Sequence, residues 1–102
     1  MNSYVVNLYP VPNGATTCET FDVSGVVKTF TSSFDYKTTC CYITAATGDL
    51  FVTFDGTTPS STNGHRLVAP YAQFWSKESA RNAKLIAATG TASHVTMSQF
   101  TY

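Results

Sequence analysis

Any chemistry in this sequence falls to a handful of side chains: two histidines, His65 and His94, three cysteines, Cys18, Cys40 and Cys41, and six carboxylates. Nucleophilic catalysis would set Ser or Cys beside a His that a carboxylate orients. Neither His stands in such a motif, and the glycine-flanked serine of a nucleophile elbow is missing. Structural zinc draws its ligands in closely spaced pairs. Adjacent cysteines on a strand point to opposite faces, so Cys40 and Cys41 are poorly placed to share one ion. Asp49 and Asp55 could approach calcium, but no further carboxylate lies between Asp55 and Gly64, and a tight site needs several. Asp55 is instead expected to bond back to its own backbone. With no phosphate loop, dinucleotide fingerprint or metal-binding helix in the chain, the sequence predicts no catalytic, cofactor-binding or metal-binding residue.

The elements around these residues read as strands. β-Branched and aromatic residues recur in short runs separated by Gly, Pro, Asn and Asp, and helical periodicity is almost absent. Runs are expected at Tyr4 to Tyr9, Thr16 to Val23 and Val26 to Phe30. Tyr36 to Ala45 sets Cys41, Ile43 and Ala45 on one face and Cys40, Tyr42 and Thr44 on the other. Thr47-Gly48-Asp49 then turns the chain, and Leu50 to Phe54 is expected to return as the hairpin partner, with Leu50, Val52 and Phe54 buried against Cys41 and Ile43. Asp55 to Gly64 holds Asp-Gly, Pro59 and Asn-Gly among hydroxyl residues and reads as an exposed loop. His65 to Ala69 resumes a strand. Phe74 and Trp75 lead into the one plausible helical turn, Ser76 to Asn82, with Ser76 as its cap.

Lys84 to Ala88 and Ser93 to Tyr102 are the last expected strands. In the second of these Val95 and Met97 share a face, whereas Phe100 and Tyr102 fall on the other. Either a bulge near Ser98-Gln99 restores one apolar face, or the end reaches outward to a neighbour. The whole predicts a single all-β domain over residues 1–102, an antiparallel β-sandwich or jelly-roll-like barrel with at most one short helix. Leu50, Val52, Phe54, Ile43 and Leu85 are its expected core.

Composition narrows the class of function. Six basic residues balance six acidic ones, which leaves no field to gather nucleic acid or an anionic membrane. Hydroxyl takes the place of charge, since Ser and Thr supply about a quarter of the residues. Nowhere does an apolar run approach the length of a bilayer span, and Met1 to Tyr9 lacks the pattern of a signal peptide, so a protein made and kept inside a cell is expected. An odd number of cysteines argues against a secreted disulfide framework and for reduced thiols, with a link to another subunit left open. Among non-enzymatic functions, sugar binding would use exposed rings, for which Tyr36, Tyr71, Phe74 and Trp75 are candidates.

The stretch FVTFDGTTPSSTNGHRL from Phe51 to Leu67, followed by Trp75, by AKLI from Ala83 and by ASHVTMSQF from Ala92, resembles small virion proteins of tailed bacteriophages. The resemblance covers roughly the second half of the chain and brings no catalytic residues with it. It implies a structural subunit of a phage particle, made in the host cytoplasm and carried on the virion, at the capsid surface, the head-to-tail junction or the tail. A capsid cement or decoration protein that bridges coat subunits is the favoured reading. The implied partners are virion proteins and further copies of the chain, with carbohydrate on a host-attachment apparatus as the rival. Contact is expected at the loop, through Asp55, Thr57, Pro59, Asn63 and His65, and at the aromatic ends, through Tyr4, Tyr9, Phe100 and Tyr102.

Overall fold

Alternation along two central strands builds the molecule. The computed structural model describes residues 11–12, 18–31, 33–88 and 90–101. These form β1 (Val11–Pro12), β2 (Cys18–Val23), β3 (Cys40–Ala46), β4 (Leu50–Thr53), β5 (His65–Leu67), β6 (Tyr71–Ser76), α1 (Lys77–Asn82), β7 (Lys84–Ala87) and β8 (Ser93–Thr101). The expected all-β class holds, with one short helix among the described residues. Tyr4, Tyr9 and Tyr102, and with them the run from Tyr4 to Tyr9, lie outside those residues.

The first sheet is centred on β8 and β3. On one side of β8 lie both β1 and β2; on the other lies β3, and β6 follows as the outermost strand. The second sheet has the order β5-β4-β7, and every ladder in both is antiparallel. Cys41, Ile43 and Ala45 of β3 point inward, as the alternation predicts, and Val95 and Met97 of β8 join them. Leu50, Val52, Leu67 and Leu85 of the second sheet belong to the same buried cluster, together with Val23, Phe30 and Trp75. Burying apolar surface between the two sheets is what holds them together. Of the expected core residues only Phe54 is half-buried; it packs against the cluster from its edge.

Three local expectations are corrected. β3 and β4 do not form a hairpin: β3 pairs with β6 and β8, and β4 pairs with β5 and β7. The turn at Thr47 to Asp49 instead carries the chain from one sheet to the other, so Leu50 and Val52 meet Cys41 and Ile43 across the core and not within a ladder. Gly48 is required there, because a Cβ would stand 2.5 Å from the Thr91 carbonyl oxygen. Asp49 locks the crossing, accepting from the Ala69 amide at 2.9 Å and from Arg66 at 2.9 and 3.2 Å.

Nor does β8 bulge. Its register against β3 runs unbroken from Ala46↔His94 to Cys40↔Phe100. Phe100 therefore stays on the outer face with Tyr42, and the inward position goes to Gln99, which is buried but fully engaged. Its Oε1 accepts from the Thr38 hydroxyl at 2.7 Å and the Asp35 amide at 3.0 Å, while its Nε2 donates to the Ser33 carbonyl at 3.1 Å. Val26 to Phe30 is not a strand either, but a single bridge, Lys28↔Leu85, lying along the free side of β7.

Phe74 and Trp75, expected to lead into the helix, belong to a full strand, Tyr71–Ser76. The helix itself begins as expected: Ser76 Oγ accepts from the Ser79 amide at 3.1 Å, Glu78 stands in the first turn and Arg81 in the last. At six residues it cannot stand alone, and Ala80 anchors it in the core.

Candidate protein-contact surface

Two surfaces gather the residues that could recognise a partner. The first is the loop from Phe54 to Gly64. Asp55 bonds back to its own backbone as expected, its Oδ1 accepting from the Thr57 amide at 3.1 Å and the Thr57 hydroxyl at 2.6 Å. Those bonds hold its carboxyl below the usual carboxylate range, the Thr57 hydroxyl contributing most. Asn63 reaches back across the loop, donating to Thr57 Oγ1 at 3.0 Å and to the Thr58 carbonyl at 2.9 Å. A two-way bridge joins Ser60 and Asn63, and Lys84 Nζ ties the Gly56 carbonyl at 2.8 Å. At the base, Gly64 takes φ +117, where a Cβ would lie 2.5 Å from the Val52 carbonyl oxygen. The loop is thus shaped before any partner arrives.

Four of its five expected contact residues, Asp55, Thr57, Asn63 and His65, are exposed. Pro59 is fully buried, so it shapes the loop and presents nothing outward. Phe54, Asp55, Asn63 and His65 line a shallow depression of about 360 Å³. Another, of about 440 Å³, lies on the far side of Phe54 and Asp55, toward Arg81 and Lys84. Phe54 meets Trp75 edge to face at 5.2 Å.

The second surface is the outer face of the first sheet, which the structure shows more plainly than the sequence does. Register places Cys18, Thr20 and Asp22 of β2, His94 to Phe100 of β8, Cys40 to Ala46 of β3 and Ala72 to Ser76 of β6 across it in alternate positions. Tyr42, Phe74 and Phe100 cluster at one end, with ring centroids 4.8 Å apart for Tyr42–Phe74, 5.3 Å for Phe74–Phe100 and 6.5 Å for Tyr42–Phe100. Phe74 is 46% exposed. Hydroxyls fill the middle, where Thr20 and Thr96 approach to 3.2 Å. At the far end His94 Nδ1 lies 2.8 Å from Asp22 Oδ1. This pair sits open to water, and the hydroxyls nearest along the face, those of Thr20 and Thr96, engage each other.

Phe100 is the one expected aromatic contact that the described residues include. Tyr42 was legible as an outward residue from the alternation of β3, but the outward place of Phe74 was not, and nothing in the sequence showed that β6 lies beside β3. The four rings considered for sugar do not form one platform. Trp75 is buried and donates its Nε1–H to the Tyr71 hydroxyl at 2.7 Å, Phe74 faces out from the sheet, and Tyr36, 83% exposed, lies in the loop before β3.

The cysteines divide as strand geometry requires. Cys18 is exposed; Cys40 and Cys41 are buried thiols on opposite faces of β3. Burial, and then the neighbouring Cys40, pushes the Cys41 thiol up to about 11. Among the described residues no group of three His, Cys, Asp or Glu side chains is arranged to hold a metal ion, and no helix is long and apolar enough to cross a membrane. No family model, curated protein or solved structure matches the chain.

Proposed function

We propose that this chain is a non-enzymatic structural subunit that acts by packing against neighbouring proteins, and that its place is the particle of a tailed bacteriophage, on the outside of the capsid, where it bridges coat subunits. The observation that carries the first part is the three-ring cluster of Tyr42, Phe74 and Phe100 on a sheet face that carries, among the described residues, no Lys, Arg or Glu and a single carboxylate, Asp22, which is paired with His94. Large rings on a neutral, flat surface are anchors for another protein, since they gain contact area at small cost in side-chain freedom. A sugar site would instead set carboxylates or amides beside the stacking ring. Around this cluster the neighbours on the face are Cys40, Thr44, Ala72, Ser76 and Ser98, none of them a carboxylate or amide, so protein contact is the better fit. The preshaped loop adds a second contact of low ordering cost. The phage particle itself is supported by the sequence resemblance; the same two surfaces would serve at the tail or the head-to-tail junction.

Hydrogen exchange on free protein and on purified particles tests the reading. Strong new protection at Tyr42, Phe74, Phe100 and the Asp55 to His65 loop is expected in the particle. Absence of the protein from washed particles, or unchanged protection at both surfaces, would overturn it and bring the carbohydrate-binding module forward.

A further inference from the structure

Sheet edges are templates for further strands, and proteins that stay apart blunt them with charge, proline or brevity. Among the described residues this chain blunts its edges unequally. β1 is two residues long and ends in Pro12, and β2, on the same side of β8, carries Glu19 and Asp22. In the second sheet, β5 is three residues long and contains Arg66, while the free side of β7 is taken by the Lys28 bridge and by the Ala87 amide bonding the Ser24 carbonyl. β6 has none of these devices. It is six residues long, Tyr-Ala-Gln-Phe-Trp-Ser, without charge or proline, and Ala72, Gln73, Phe74 and Ser76 are exposed. No described residue pairs with its outer side.

We propose that β6 is a self-association edge, which pairs antiparallel with β6 of a second copy about a two-fold axis and joins two first sheets into one. The strand is suited to its own copy. A two-fold perpendicular to the sheet keeps the outer faces on the same side, and centring it at Phe74 sets ring against ring, with Ala72 opposite Ser76 on either side to give the rings room. At β2 the same operation would instead carry carboxylates onto the seam, Asp22 on the outer face and Glu19 on the inner. Pairing at β6 also merges the two Tyr42, Phe74 and Phe100 clusters into a continuous aromatic strip and covers the most exposed of their rings. This inference goes beyond the contacts with other virion proteins and does not depend on them.

Sedimentation of the purified chain over a range of concentrations reads the result. A dimer is expected for the parent. Ala72→Lys/Gln73→Lys, which places two like charges from each copy along the seam at exposed positions, should weaken it at least tenfold, with Trp75 fluorescence confirming an intact fold. Thr20→Lys on the β2 edge should leave it unchanged. A parent that stays monomeric at every concentration, or a double variant that dimerises as well as the parent, would overturn the proposal. The particle measurement separates this from the contact function. A monomer that still gains protection on the particle loses only the edge pairing, and a dimer that gains none retains the pairing alone.

Discussion

At Gln99 an amide occupies a position where the alternation of β8 calls for hydrocarbon. It bonds three groups of the segment before β3: the Asp35 amide, the Thr38 hydroxyl and the Ser33 carbonyl. Each buried polar group left without a partner costs about 1–3 kcal/mol. Gln99→Leu is therefore expected to lose stability by at least about that much in denaturant melts, although Leu is the more apolar residue. Full stability in that variant would show the amide to be dispensable. Asp49 makes a second, pH-dependent link. The Ala69 amide, with Arg66 after it, holds its carboxyl below the usual range, so the native state favours its charged form. Its contribution is present above the ordinary carboxylate pKa and is lost as pH falls through the lowered native value. Acid melts of Asp49→Asn should accordingly be flatter with pH than those of the parent. Cys41 has the opposite sign, because burial favours its neutral thiol. Stability falls as pH rises from the ordinary 9.0 toward about 11, and thiol reagents should label Cys18 in the native state while sparing Cys40 and Cys41 until unfolding.

Elements were legible where a local rule determines them. Ser76 announced α1 because a cap is a local bond, and removing it by Ser76→Ala should cost about 1 kcal/mol, measured by thermal or denaturant melts. The two faces of β3 followed from side-chain period alone. Pairing did not, since Leu50, Val52, Ile43 and Cys41 carry the same apolar pattern whether they meet within one ladder or across a core. β6 was hidden for a different reason: an outermost strand with Ala72, Gln73 and Phe74 all exposed has no alternation to read. The contact site was half legible. Asp55, Asn63 and Gly64 declared a structured turn, whereas the ring cluster depends on strand order that no short-range signal encodes. Gly64→Ala tests the turn. Its positive φ and the nearby Val52 carbonyl oxygen should make the variant less stable and speed amide exchange most in the Asp55 to His65 loop.

At the scale of the whole molecule, a single core serves both sheets, so damage on either side is felt by both. Leu50→Ala or Leu85→Ala should each cost about 2–5 kcal/mol and melt the outer-face cluster and the loop together in one transition. Loss of one surface with the other intact would divide the chain into independent units. β8 matters in another way. It is the last strand in the described chain and the partner of three others: Val11 meets Thr101, Cys18 meets Ser98 and Cys40 meets Phe100. Its ladders with β1 and β2 therefore join residues far apart in sequence, and such contacts close slowly because the loop entropy is lost before the ladder forms. On the ribosome, β2 waits with its edge unpaired until residue 98 has emerged, and Ile43 and Trp75 wait for the strand that seals them. Closure of the first sheet thus waits on β8, and until that strand arrives β2, Ile43 and Trp75 stay open to other chains.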